Sequence, residues 1–283
     1  MPQAINTTHA IFFLIIGNLF ASLSDVTVKL LDGGVSPFQY MFLRQLIAVI
    51  LIWPFWRKVS TQQRRLSAPY LTLFRAHLVL IGSGCMMVSI TYLPLATANA
   101  IFYAAPLLML PLSIVLLKEY PSFGKVCATS IAFVGVLVVL RPSQYHWAAL
   151  FALGTAVTLA LFNIMARKLP KEQSVITTLF WTSLFSLPVA ALLSVFHWQP
   201  ISIREWLWIA ASSLLILLYN GLAVLAYQRA PASQIALAEY TGLIFVVLFG
   251  VWWFNEIPDT LTAFGIILII LPLLPIKALR RTK

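Results

Sequence analysis

The sequence predicts an all-α integral membrane protein: ten transmembrane helices arranged as two inverted five-helix repeats. Three observations carry that prediction. Of the 283 residues, 61% are hydrophobic and 10% are charged, whereas soluble domains carry about 25% charged residues. A water-facing surface cannot be assembled from this inventory. The apolar residues fall into ten runs, each close to the roughly 20 residues that cross a hydrocarbon core. The basic residues gather in alternate loops, and an offset of 137 residues relates the two halves of the chain.

Charges, prolines and glycines cut the chain into spans 10–31, 37–56, 70–93, 97–117, 123–141, 147–167, 174–196, 205–228, 234–254 and 260–277. The first nine residues hold no Lys or Arg, and no small-residue cleavage site follows the first run. Span one therefore reads as a retained crossing, not a signal peptide. The cut between spans three and four is the least marked, because no charge occurs from Ala76 to Leu117. "YLPLATAN" divides that stretch: Pro94 cannot continue a helix and Thr97 is a candidate cap for the next.

The loops set the orientation. With a cytoplasmic N-terminus, fourteen basic residues fall in the inner loops and C-terminal tail, from Arg57 and Lys58 to Lys283. Only Arg141 and Arg204 fall outside, and Lys29, Arg44 and Arg75 lie within spans. That bias places both termini in the cytoplasm. The net charge of +11 thus reflects loop retention; nucleic-acid binding would require a basic stripe on a soluble domain. Cys85 and Cys127 both lie in apolar runs, which argues against a disulfide framework.

The repeat runs through the whole chain. "YLPLATANAIFYAAPLLMLPLSIVLLKEYP" matches "YQRAPASQIALAEYTGLIFVVLFGVWWFNEIP" so that Pro94 falls on Pro231, Tyr103 on Tyr240, Glu119 on Glu256 and Pro121 on Pro258. His9 and His146, then Gly17 and Gly154, keep the same offset; a one-residue slip brings Asp25 onto Asn163 and Lys29 onto Arg167. Residues 1–141 and 142–283 then form two five-span units. Because five is odd, the units sit in opposite orientations, an arrangement found in secondary transporters with a midplane substrate site.

"LLKEYPSFGKVCATSIAFVG", "WWFNEIPDTLTAFGIILI", "VSPFQYMFLRQ" and "SDVTVKLL" together resemble the EamA-type members of the drug/metabolite transporter superfamily, over nearly the entire chain. The resemblance implies export or exchange of amino acids, related metabolites or drugs, by proton exchange or facilitated flow, in a bacterial inner membrane. It also implies a glycine where this chain has Pro272, so a kink is expected in the last helix.

Ionisable side chains inside a bilayer cost about 2.5–3.5 kcal/mol on insertion scales, so they face a cavity or a partner. Asp25 lies roughly 9 Å below the outer edge and Arg44 roughly 10 Å, at about 1.5 Å per residue. Lys29 is one turn shallower than Asp25 on the same face. The expectation is an Asp25–Arg44–Lys29 cluster in the outer half. It is either a lock between spans one and two, with Lys29 snorkelling, or a cationic site for a substrate carboxylate. Glu239 is a candidate proton carrier or a partner for Arg75 or Arg229. His77 is expected to bond a neighbouring helix, and Glu119 and Glu256 to cap loops. Asn18, Asn99, Asn163, Tyr219 and Asn220 need protein or water partners. Tyr103, Tyr240 and Trp181 are candidates to line a pocket.

No Walker loop, zinc spacing or nucleophile elbow occurs, so neither an enzyme nor a cofactor or metal is expected. The reading is a transporter of a small polar or zwitterionic metabolite, such as an amino acid or derivative, working by alternating access. Its partners would be the substrate, the lipid bilayer and protons as a coupling ion; a monomer suffices. The alternatives are a multidrug exporter of the same fold and an intramembrane lipid-modifying enzyme.

Overall fold

A computed structural model describes residues 7–140, 146–170 and 172–271. It contains helices α1 (Thr7–Lys29), α2 (Pro37–Lys58), α3 (Pro69–Tyr92), α4 in two pieces (Leu95–Phe102 and Ala105–Leu117) and α5 (Phe123–Leu140). There follow α6 (Ala148–Arg167), α7 (Val175–Val195), α8 (Ile203–Arg229), α9 and α10 (Thr260–Ile270). Helix α9 is itself composite: Ala232–Ile235, a 3₁₀ stretch Ala236–Tyr240, and Thr241–Phe254. Seven of these helices are long and apolar enough to cross a membrane, with shorter apolar helices at 126–139, 238–254 and 260–270. The molecule is an all-helical integral membrane protein. Pro272, Arg141, Lys171 and the basic tail lie outside the described residues.

The outward surface is apolar: Ile50, Phe55, Leu192, Leu207, Leu248 and Ile267 are all exposed. In water such a surface would aggregate; against lipid it needs no covering. With so little apolar contrast between lipid and core, close approach depends on small residues. At the α5–α10 crossing, a Cβ added to Gly135 would stand 2.6 Å from the Gly265 carbonyl oxygen, and one added to Gly265 would stand 2.5 Å from Val139 Cγ2. Glycine is required at both positions.

Helix α4 starts at Leu95 with Pro94 at its N-cap. The expected cap at Thr97 is therefore two residues inside the helix, because Leu95 N–H finds a partner elsewhere: it donates to Glu256 Oε2 at 2.7 Å. The break in α4 falls at Tyr103 and Ala104, just before Pro106, whose missing N–H and ring forbid the bond to the Phe102 carbonyl. The break in α9 ends at Tyr240, which is 137 residues on from Tyr103.

The two Glu-x-Pro elements are the same turn. Lys118 and Asn255, 137 apart, both take the left-handed conformation, at φ 56° and 51°. The following N–H groups close seven-residue loops, Glu119 N–H to Ser113 O and Glu256 N–H to Gly250 O, both at 3.1 Å. Both helices thus end on a left-handed residue, as helix C-termini commonly do, at one offset.

Candidate functional site

The breaks in α4 and α9 surround a central cavity of about 140 Å³. Its wall repeats the internal symmetry. Asn18 pairs with Thr155, Asp25 with Phe162, Val79 with Ile216, Gly82 with Tyr219, Ser83 with Asn220 and Phe102 with Glu239; all twelve line the cavity, at an offset of 137 with no slip. In this register Asp25 corresponds to Phe162 rather than to Asn163.

A helix break frees backbone carbonyls that lipid cannot satisfy. Asn18 on α1 meets this need: its Nδ2 donates to Ala238 O at 3.0 Å and Glu239 O at 3.1 Å, and also to Thr241 Oγ1 at 3.1 Å. Ser22, one turn on, donates to Gly242 O at 3.1 Å. Gly242 in turn leaves room for the Tyr103 hydroxyl, which a Cβ there would strike.

Two carboxyls reach this space. Glu239 is buried and accepts from the Tyr227 hydroxyl at 2.7 Å and from Asn163 Nδ2 at 3.3 Å. Its partners are thus neutral, and neither Arg75 nor Arg229 pairs with it. Asp25, also buried, lies beside the Asn99 amide and in the field of the Arg44 guanidinium. The two acid–amide pairs exchange roles between halves: α1 supplies the acid and α4 the amide in one, α6 the amide and α9 the acid in the other. Arg44 lines the same cavity, 5.8 Å from the Tyr40 ring, with its Nε buried and unpartnered. Asn163 Oδ1 is likewise buried without a partner. Unmet hydrogen-bonding capacity therefore gathers at the cavity wall.

Of the residues singled out from sequence, Asp25, Arg44, Asn99, Tyr103, Asn163, Tyr219, Asn220 and Glu239 line the cavity. Lys29, Trp181 and Tyr240 do not. Lys29 leaves the expected cluster: its Nζ pairs with Glu256 Oε1 at 2.8 Å and donates to Leu93 O at 2.9 Å. Its long stem carries the ammonium past the end of α1, towards the loop carboxylate and away from Asp25. Trp181 packs edge-on to Trp56 (6.3 Å) and Phe180 (5.7 Å) between α2 and α7. Tyr240 is fully buried behind the wall, 5.9 Å from the Tyr103 ring. His77 bonds the Leu73 carbonyl of its own helix and not a neighbour.

Sequence reasoning missed Tyr227 as the partner of Glu239, and missed the ion pair between Arg167 Nε and Glu119 Oε1 at 3.0 Å. The signal for the second was present. Lys29 and Arg167 match with a one-residue slip, and Glu119 and Glu256 without one, so the two ion pairs correspond across the repeat. The Lys29 pair sits where α1 ends; the Arg167 pair sits at the opposite face, where α1 begins.

Comparison with known proteins follows the same division of the chain. The model of the EamA-like transporter family matches twice, over residues 8–141 and 146–276. The S-adenosylmethionine uptake transporter of Rickettsia prowazekii is 24% identical over 281 residues, covering 95% of this chain and 93% of the relative. The pseudopaline exporter CntI of Pseudomonas aeruginosa is 25% identical, with 96% of both chains covered. The riboflavin transporter of Vibrio cholerae is 24% identical, covering 93% and 90%. A protein of known crystal structure shares the fold, with a TM-score of 0.66 at 19% identity over 98% of this chain and 99% of that one. With both halves matched and a broken-helix cavity between them, the chain belongs to the EamA-like transporter family.

Proposed function

We propose that this protein is a secondary transporter of a small zwitterionic metabolite, an amino acid or amino-acid derivative. It moves its substrate by alternating access between inverted halves 1–141 and 142–283. Both termini face the cytoplasm of a bacterial inner membrane, and one chain suffices. The observation that carries this reading is the cavity wall, which Arg44 shares with two buried carboxyls, Asp25 and Glu239, between two broken helices. A guanidinium fits a carboxylate in two-pronged fashion, while a carboxyl fits an ammonium group. One cation and two acids leave an acid over, which takes a second cationic centre of the substrate or carries a coupling proton.

The relatives named for S-adenosylmethionine and pseudopaline support an amino-acid headgroup. About 140 Å³ is close to the roughly 150 Å³ that admits a benzene ring, so it takes such a headgroup, and a larger body requires one face to open. The apolar part of the wall, Met86, Phe102, Met109 and Phe162, favours as second reading an amphiphilic drug exporter of the same fold.

The test is counterflow in proteoliposomes, using radiolabelled S-adenosylmethionine and a panel of amino acids, with Arg44→Ala as control. Exchange that disappears in the folded variant supports the reading. Formation of a chemical product, or no exchange of any zwitterion, sinks it.

A further inference from the structure

Arg75 heads the large, fully buried side chains among the described residues, with no exposed surface. None of its three guanidinium nitrogens has a hydrogen-bond partner. Its only close charge-related contact among the described residues is the face of Phe162, whose ring centroid lies 4.0 Å from the guanidinium carbon. A buried charge without a partner costs several kcal/mol, so retaining one calls for a reason.

Packing does not supply it. The repeat-related position is Ser212, 137 residues on, and there a small hydroxyl fills the slot. Ser212 Oγ is 2.8 Å from both Ser24 Oγ and the Tyr40 hydroxyl. One half thus closes this site with a satisfied serine, while the other places a bare guanidinium in it.

Position along the path does supply a reason. Leu78 and Val79, three and four residues after Arg75 and therefore on its face of α3, line the central cavity, as does Phe162. Arg75 thus lies one helical turn beyond the cavity, behind the Phe162 ring. It lies about 9 Å along α3 from the helix start at Pro69, at the face assigned above to the cytoplasm. Arg44 lies at similar depth from the other face, on the neighbouring helix α2.

We propose that Arg75 is a second anion subsite on the cytoplasmic leg of the transport path, taking the substrate carboxylate from Arg44 once the Phe162 ring moves aside. The ligand class is a carboxylate, held by paired N–H donors. The proposal rests on the transporter reading for its sequence of events, but the subsite itself can be tested without a known substrate.

In inside-out vesicles, phenylglyoxal should modify Arg75 of the full-length chain, read on its peptide by mass spectrometry. Phe162→Ala should speed that modification, and sodium acetate should slow it more than sodium chloride of equal ionic strength. Arg75→Met should raise the melting temperature of the detergent-solubilised protein, because it removes an unpaired buried charge. In counterflow of S-adenosylmethionine, Arg75→Met should lose transport. Absence of acetate protection, a lower melting temperature for Arg75→Met, or counterflow at the wild-type rate in that variant would each overturn the subsite. If the wild type itself fails to exchange S-adenosylmethionine, that choice of substrate falls, and acetate protection alone decides the subsite.

Discussion

The ion pair between Lys29 and Glu256 should act as a clasp on the face where α1 ends, and its strength can be worked from the geometry. Glu256 makes two contacts: Oε1 to Lys29 Nζ at 2.8 Å and Oε2 to the Leu95 N–H at 2.7 Å. Glu256→Gln keeps an oxygen for the helix cap and removes only the charge. At 2.8 Å and an effective dielectric near 20, the Coulomb attraction is about 6 kcal/mol before desolvation. The two side chains retain 18% and 22% of their exposure, between surface pairs worth about 0–1 kcal/mol and buried pairs whose disruption costs about 3–5. A net of about 1.4 kcal/mol is a reasonable middle, and it corresponds to a tenfold shift in the open population of that face. The assay uses Met86→Cys, at the cavity wall, in a Cys85→Ser, Cys127→Ser background, with a membrane-impermeant maleimide added from either side. Glu256→Gln and Lys29→Met should speed labelling from the side where α1 ends about tenfold. The image substitution Glu119→Gln, which releases Arg167, should speed labelling from the opposite side instead. If all variants fold and the rates do not move, or if both substitutions speed labelling from the same side, the clasp reasoning fails.

Further outcomes follow from the same geometry. Arg44→Lys keeps the charge but loses the paired donors, so counterflow of a carboxylate-bearing substrate should fall at least tenfold (about 1.4 kcal/mol), while its amine analogue lacking the carboxylate is little affected. Glu239→Gln keeps an acceptor for the Tyr227 hydroxyl but cannot release a proton; counterflow should persist while acceleration by a pH gradient is lost, as measured by uptake at fixed and imposed gradients. Asn18→Leu removes the bonds that Asn18 donates to Ala238 O, Glu239 O and Thr241 Oγ1, each worth about 0.5–1.5 kcal/mol net, and should lower the melting temperature in detergent. Gly265→Val drives a side chain into Val139 and the Gly135 carbonyl and should cost about 1–3 kcal/mol. Gly250→Ala, whose added carbon meets nothing nearer than 3.9 Å, is the silent control.

What the sequence made legible was depth; rotation about each helix axis was not. Charges and prolines mark where an apolar run ends, so the seven helices long enough to cross a membrane and the three shorter apolar ones were readable, and Asp25 and Arg44 line one cavity. Which way a residue faces is normally read from the contrast between an apolar core and a wet surface. Here lipid and core are both apolar, and Trp181, with no such contrast to orient it, turned to Trp56 rather than to the cavity. Lys29 escaped for a different reason: periodicity fixes its Cα beside Asp25, but its partner Glu256 lies 227 residues away, at the end of a flexible stem. The breaks divide in the same way. Pro106 announces the one in α4 locally, whereas its counterpart position in α9 holds Leu243, and that break is held by Asn18 reaching across from α1. The repeat is the one sequence signal that carries rotational information. With Tyr103 matched to Tyr240 without a slip, Asn18, Val79, Gly82 and Ser83 each have a cavity-lining counterpart in the other half. The same register leaves Arg75 facing a serine's position, so the residue that breaks the symmetry is the one whose burial packing does not explain.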